Sequence, residues 1–397
     1  MLADPGCGFS PDLSIHIPHL CPVAGIYIHI PFCKQACHYC NFYFSTSTGN
    51  KQKVLDAINK EIELSKNYLA GETIHTIYFG GGTPSILSAD ELKRIIETIH
   101  RHHHCDVQEL TLEANPDDLT TQKVNELAAL KAFGLNRFSI GVQSFFNEDL
   151  QYMNRAHSRD EAISAIQKVQ HAGFDLLTID LIYGTPTSTD EHWLQNLETA
   201  FGLNIPHLSC YALTVEPQTS LHQKIKKQLL PPVDENLAAT HFDILKTQAE
   251  QNGFEHYEIS NFALPGKHAL HNTNYWRGVP YIGIGPSAHS FNGHERRWNV
   301  SNNLSYVEGI NTGKTYFETE TLTPSQQANE YIMTSLRTIW GMHLNHEKII
   351  AYQTEILQSL RDVNTNFYLV KNEVVVLTKE GKHFADGVAG SLFVEEN

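Results

Sequence analysis

The chain has 397 residues, 41% hydrophobic and 18% charged, a composition that fits a globular protein of two or three domains. Its 44 acidic and 29 basic residues leave a net charge of −15, which argues against broad binding to nucleic acid, because that needs clustered Lys and Arg. No apolar run reaches membrane-spanning length and nothing reads as a signal peptide, so the expected setting is the cytoplasm, with at most peripheral membrane contact.

Residues 1–24 are rich in Pro and Gly, lack periodicity and read as a poorly ordered extension. Val23 directly precedes Ala24-Gly25, and a GTG start codon read as internal would give this valine, so whether residues 1–24 are translated in the cell stays open. From Gly25 a pattern repeats: a short apolar run, then an amphipathic helix. The runs are Ile26–Ile30, Ile74–Phe79, Glu109–Glu113, Arg137–Gly141, Leu176–Leu181 and Leu208–Ala212. They are too short for helices, and their near-continuous apolar character suits a parallel sheet covered on both faces. Between them, Ser88…Glu91, Ser158…Glu161 and Ser188…Glu191 read as capping boxes. Leu92, Ile95, Ile96 and Ile99 recur at helical spacing, as do Leu55, Ile58 and Ile62, and Gly134, Gly173 and Gly253 sit where helix C-caps belong. Strand–helix alternation of this kind predicts right-handed parallel βαβ units, too few for a closed eight-fold barrel, with a site at the C-terminal ends of the strands.

Chemistry-bearing residues fall at those ends. Cys33, Cys37 and Cys40 follow the first strand with the spacing C-x3-C-x2-C. Three thiolates this close can hold one face of a cubic 4Fe-4S cluster and leave one iron open to a small molecule. A structural zinc site wants four closed ligands, and no second C-x2-C pair is present. Cys7, Cys21, Cys105 and Cys210 match no disulfide framework and suit a reducing compartment. The run His100, His102, His103 and His104 reads as the solvated end of a helix. Gly80-Gly81-Gly82-Thr83-Pro84 follows the second strand, and consecutive glycines let backbone approach a ligand closely. Glu113 ends the third strand, Gln143 follows the fourth, Arg155 lies in the next loop and Asp180 ends the fifth. Any one of these alone reads as well as an ordinary polar strand end. Arg155 offers a forked contact for a carboxylate.

The cysteine stretch resembles the signature of the radical S-adenosylmethionine (SAM) superfamily. With its flanks, Tyr27-Ile28-His29-Ile30-Pro31-Phe32-Cys33 and Cys40-Asn41-Phe42, it resembles the branch that holds oxygen-independent coproporphyrinogen III oxidase and the HemW-type haem chaperones. The resemblance covers nearly all the chain from Gly25. It implies a partial (β/α)6 barrel, an open iron that takes the amino and carboxylate groups of SAM, and SAM contacts at Gly81, Gly82, Thr83, Glu113, Gln143, Arg155 and Asp180. Tyr27, Tyr39 and Ala212 align with further family SAM contacts. Residues 25–230 would form this barrel.

Residues 231–320 read as a barrel extension and linking region. A helix is expected at Glu235–Gln251, then a strand leading into a loop at His256–Ala263. The stretch His271-Asn272-Thr273-Asn274-Tyr275-Trp276 resembles a motif linked to haem in HemW-type proteins. An imidazole with flat aromatic neighbours suits a porphyrin, which makes His271, Asn272, Tyr275 and Trp276 the candidate haem residues, against the alternative of a packed turn with a satisfied histidine. Residues 321–397 read as a winged-helix-like α+β domain: a capping box at Thr323…Gln326 opens a helix to about Thr338, a second helix lies near His346–Leu360, a hairpin joins Phe367–Val370 to Glu373–Leu377 at Lys371-Asn372, and a short helix holds Gly381–Ala389. No basic helix supports DNA binding there, so the domain reads as a lid or partner surface.

Three functions compete. A HemW-type chaperone would bind haem, carry the cluster and SAM, and deliver haem to acceptor proteins. Coproporphyrinogen III dehydrogenase would cleave SAM and abstract hydrogen from propionate side chains. An RNA-modifying radical SAM enzyme would need an RNA-binding module, and the −15 charge opposes it. The oxidase branch carries a further cysteine two residues after the third ligand, where this chain has Phe42, and a longer N-terminal segment that residues 1–24 do not resemble. Both differences favour the chaperone, with cleavage of SAM left undecided. The expected partners are haem and haem-acceptor proteins, with a homodimer as a further option.

Overall fold

The computed structural model describes residues 23–396. The expectations for residues 1–22 lie outside the described residues. Val23 and Ala24 are already part of the first strand.

All six expected strands form, separated by helices: β1 (Val23–Ile30), α1 (Lys51–Leu64), β2 (Thr73–Gly81), α2 (Ala89–His102), β3 (Cys105–Ala114), α3 (Thr121–Ala128), β4 (Leu135–Gln143), α4 (Asn147–Tyr152), α5 (Arg159–His171), β5 (Leu176–Tyr183), α6 (Asp190–Gly202) and β6 (His207–Ala212). Each strand pairs in parallel with the next. Ser88 and Ser158 form complete capping boxes. The third expected box is displaced by one residue: Thr189, not Ser188, caps α6, and its hydroxyl accepts from the His192 N–H.

The strands alternate more strictly than their composition suggests. Ile26, Ile28, Ile77, Phe79, Leu110, Leu112, Phe138, Ile140, Ile179 and Leu181 are buried in one apolar core with Leu55, Ile58, Ile95 and Ile99 of the helices. The residues between them point to the opposite, inner face and are polar or aromatic. There Tyr78 donates to Glu113, Arg137 to Glu109 and Thr178, and Ser139 to Asp180. The sheet is therefore not apolar on both faces, as expected from the runs. Its outer face packs on helices and its inner face lines a polar lumen.

The next segment is more strand-rich than expected. After α7 (Ser220–Lys226) and α8 (Glu235–Gln251), the His256–Ala263 stretch folds as a tight antiparallel pair, β7 (Glu255–Glu258) and β8 (Asn261–Ala263), beside β6. A short helix, α9 (Leu270–Trp276), then precedes β9 (Tyr281–Ile284), which pairs in parallel with β1. β10 (His289–Phe291), β11 (Glu295–Asn299), α10 (Asn303–Thr312) and β12 (Phe317–Thr321) extend that edge. Residues 231–320 thus add strands to both edges of one twelve-stranded sheet, whose order is β12-β11-β10-β9-β1-β2-β3-β4-β5-β6-β8-β7.

The C-terminal segment comprises α11 (Pro324–Leu336), β13 (Met342–His343), α12 (Gln353–Leu360), β14 (Tyr368–Lys371), β15 (Val374–Leu377) and α13 (Ala385–Ser391). It builds a separate core from Ile332, Leu336, Ile356, Val375 and Leu392 under a three-stranded antiparallel sheet, in keeping with a winged-helix-like module. The hairpin turns at Asn372-Glu373, one residue later than expected, with both residues at positive φ as a two-residue type I′ turn requires. Among the described residues no helix is long and apolar enough to cross a membrane.

Candidate functional site

Cys33, Cys37 and Cys40 lie on the loop after β1, all free and half-buried. The loop is closed at its neck, where Ser45 donates to Pro31 and Cys33 donates to Ser45. Its tip is tied to the end of α4: the His38 N–H donates to the Met153 carbonyl, Gln35 to the Asn154 carbonyl at 2.9 Å, and the Asn154 amide back to the Ala36 carbonyl at 2.7 Å. Lys34 adds ion pairs with Asp117 and Asp118.

Hydrogen bonds aimed at this loop test whether it suits a cluster. The Thr83 hydroxyl donates to Cys33 Sγ at 3.4 Å, and Arg155 Nη1 donates to Cys37 Sγ at 3.3 Å. Both sulfurs act as acceptors, the role of a thiolate or an iron-bound sulfur. Burial, with the charge of the neighbouring cysteines adding to it, pushes the Cys33 thiol up to about 11 and raises Cys40. An iron centre would reverse that balance, since a coordinating thiol is deprotonated. Among the described residues no three His, Cys, Asp or Glu side chains converge as a single metal ion requires. A cubic cluster asks something different, because each thiolate binds its own iron. The residues fit a 4Fe-4S cluster.

The expected SAM residues surround the same end of the sheet. At the tip of β2, Gly81 has φ +104 with the His29 ring against its α-carbon, and a side chain at Gly82 would strike the Ile30 and Phe32 carbonyl oxygens. Glycine is required at both. Gln143 is buried with φ +67 beyond an irregularity in the β4–β5 pairing, a strained placement that puts its amide beside Gly141. Glu113 and Asp180 are half-buried, and both carboxyls are pushed up to about 7, chiefly by burial and, for Asp180, next by the charge of Glu113. A cationic ligand would offset that cost, and SAM carries a sulfonium and an ammonium. Tyr27 hydrogen-bonds His29 and stacks near Tyr78, Tyr39 packs against the small cluster of Leu150, Tyr152 and Met153, and Ala212 closes β6 opposite Tyr183.

Arg155 differs from expectation. Its Nη2 donates to Asn115 Oδ1 at 2.6 Å and to the Gly141 carbonyl at 2.7 Å, so the fork is already engaged, and only the buried Nε lacks a partner. The sequence reading missed Asn115, which accepts from Arg155 and donates to Thr83 at 3.1 Å. It also missed His29, whose Nε2 meets the Tyr43 carbonyl at 3.0 Å and braces the end of the cysteine loop. Asn115 follows Glu113 by two residues but carries no charge to draw attention.

The candidate haem residues occupy a short helix, α9. α9 crosses the inner face of the sheet at the end opposite the cysteines. The Leu270 and His271 N–H groups donate to Glu109, and Arg137 donates to the Lys267 and His268 carbonyls. His271 is 1% exposed, with Nδ1 bonded to Thr76 and Nε2 to Tyr275, both at 2.8 Å. Burial lowers its pKa to about 3. Neither ring nitrogen is free in this position, so iron ligation by His271 requires α9 to leave the floor of the lumen. Tyr275 packs edge-on to Tyr281, Trp276 lies under Arg337 with a buried, unpartnered Nε1, and Asn272 is half-buried.

Residues 27–200 match the Radical SAM superfamily, whose domain implies a 4Fe-4S cluster and SAM. The chain is 33% identical over 378 residues to the heme chaperone HemW of Bacillus subtilis (strain 168), covering 93% of this chain and 99% of that protein. It is 31% identical over 390 residues to the heme chaperone HemW of Mycobacterium tuberculosis (strain ATCC 25618 / H37Rv), covering 95% and 98%. In fold it is similar to coproporphyrinogen III oxidase (HemN) from Escherichia coli, with TM-score 0.80 over 94% of this chain and 90% of that one at 22% identity. With near-complete coverage at this identity, the chain belongs to the HemW family of the radical SAM superfamily.

Proposed function

We propose that the protein is a haem chaperone of the radical SAM type, which binds haem as cargo and passes it to acceptor proteins. The observation that carries this reading is end-to-end similarity to proteins named heme chaperone HemW. Two features of the chain support it. Phe42 stands where the oxidase branch has a cysteine, and its side chain is 69% exposed beside the cluster loop. The His271–Trp276 stretch forms a discrete helix with a glycine at positive φ on either side, Gly266 and Gly278, which allows it to move as a unit.

The cluster and SAM, when bound, supply one-electron chemistry at the open iron. The chain's residues hold that centre in place: Thr83 and Arg155 direct hydrogen bonds at two cysteine sulfurs, and Glu113 and Asp180 present carboxyls to a cationic ligand. His271, Asn272, Tyr275 and Trp276 are the proposed haem contacts, reached when α9 withdraws from the lumen. The test is anaerobic reconstitution with iron and sulfide, then spectral titration with haem and an assay with coproporphyrinogen III. Haem binding without coproporphyrinogen turnover supports the chaperone. Turnover of coproporphyrinogen would assign the chain to the oxidase reaction.

A further inference from the structure

The outer side of α9 carries two cations with no acidic partner. Arg277 caps the helix, and its guanidinium lies 4.3 Å over the Trp340 ring. Lys348 comes from the C-terminal domain. Its Nζ lies 3.7 Å from the point a side chain on Gly278 would occupy, and 5.4 Å over the Phe291 ring. Among the described residues neither side chain takes part in an ion pair or a side-chain hydrogen bond, although the chain has 44 acidic residues against 29 basic ones. Partial desolvation lowers the pKa of both, although Arg277 stays exposed by surface area, and Glu330 and Glu347 oppose the shift at Lys348. A favourable helix-dipole contact accounts for a cation at the end of α9 but not for a second one brought from another domain.

The surroundings are apolar and open. Trp340 lies 6.1 Å from His268 at one end of α9 and under Arg277 at the other. Beside it Ile339 is 43% exposed, and Leu270 on the first turn of α9 is 39% exposed. Two cations without an acidic partner at the C-terminal end of α9, each over an aromatic ring, suit an apolar ligand that carries carboxylates.

Resting on the haem-chaperone reading above, we propose that Arg277 and Lys348 form the anchor for the propionate carboxylates of the haem cargo. Arginine fits a carboxylate with its planar fork, and lysine adds a point charge. The two come from different domains, so the cargo's carboxylates bridge α9 and the C-terminal domain.

The experiment compares haem with haem dimethyl ester, in one detergent buffer, on the reconstituted full chain and on the R277Q/K348Q variant, with circular dichroism as the control for folding. Arg277 is exposed and Lys348 half-exposed, so neither substitution disturbs a core. The wild type should bind haem roughly tenfold or more tightly than the ester, the worth of charged hydrogen bonds. R277Q/K348Q should lose that preference and bind the ester as the wild type does. Equal wild-type affinity for haem and ester, or unchanged haem affinity in the variant, would overturn the anchor while leaving the chaperone reading intact. A wild-type chain that binds neither would overturn both.

Discussion

Cys33 and Cys37 are joined by an arch of side chains as well as by the backbone between them: Thr83, Asn115 and Arg155 run from one sulfur to the other, each hydrogen-bonded to the next. The arch ties β2, β3 and the loop after α4 to the cluster loop, and Asn115 is its middle link. Asn115→Ala removes the partner of two groups at once, at a cost of about 1–3 kcal/mol. It should weaken SAM binding roughly tenfold, read by calorimetry on the reconstituted protein. Arg155→Ala should do at least as much, and Arg155→Lys should not rescue it, because one ammonium cannot serve the Cys37, Asn115 and Gly141 acceptors together. Wild-type SAM affinity in Arg155→Lys would show that the fork plays no part.

The three loop cysteines should be individually essential for the cluster. Cys37→Ala, reconstituted anaerobically, should lose the four-iron absorbance and its iron. Cys105 and Cys210 lie far along the chain on β3 and β6, the second of them buried, and their alanine variants should keep a full cluster. A full spectrum in Cys37→Ala would remove the ligand assignment.

Glu113 and Asp180 make the ligand-free chain pH-sensitive. Both hold protons in the folded state at pH values where the unfolded chain has released them, so they stabilise the fold fully below their ordinary values of 4.5 and 3.8, and that stabilisation is lost as pH rises through about 7. Thermal melts of the ligand-free protein should fall across this window, and Glu113→Gln with Asp180→Asn should flatten the fall. SAM affinity should move the other way, rising with pH as the carboxylates ionise, and the same variants should bind SAM poorly. A flat wild-type melting profile across the window would mean that neither group is shifted.

Much of this site was legible because it obeys local rules. Cys33, Cys37 and Cys40 carry their chemistry in their spacing, and the strand-end residues follow from a parallel βα pattern that places every strand's C-terminal end on one side. The character of the lumen was less legible. The run Glu109–Glu113 contains Leu110 and Leu112 alternating with Glu109, Thr111 and Glu113, a period of two that composition alone blurs into an apolar stretch. β11 and β12, with the sequences ERRWN and FETET, carry too much charge to read as strands, and they form because an open sheet edge supplies their partners. α9 was hidden for a related reason. Its N-terminal N–H groups are satisfied by Glu109, distant in the chain, instead of by a capping side chain of its own.

That docking sets the last expectation. The His271 ring stacks on Tyr78 with centroids 5.0 Å apart, and Tyr78 donates to Glu113 at 2.7 Å, so one aromatic side chain links the helix that carries the proposed haem residues to a proposed SAM contact. The Thr76 hydroxyl holds His271 Nδ1. Thr76→Val removes that bond with little change of shape and costs the docked helix about 1 kcal/mol. If haem ligation by His271 waits for α9 to leave the floor, the variant should melt at a lower temperature yet bind haem up to about fivefold more tightly, because the competent state is better populated. His271→Ala should lower the melting temperature further, since it leaves Thr76 and Tyr275 without their partner, and should lose the wild-type Soret band. A Thr76→Val protein that melts lower but binds haem with unchanged affinity would make His271 a fixed part of the lumen floor and place the iron ligand elsewhere.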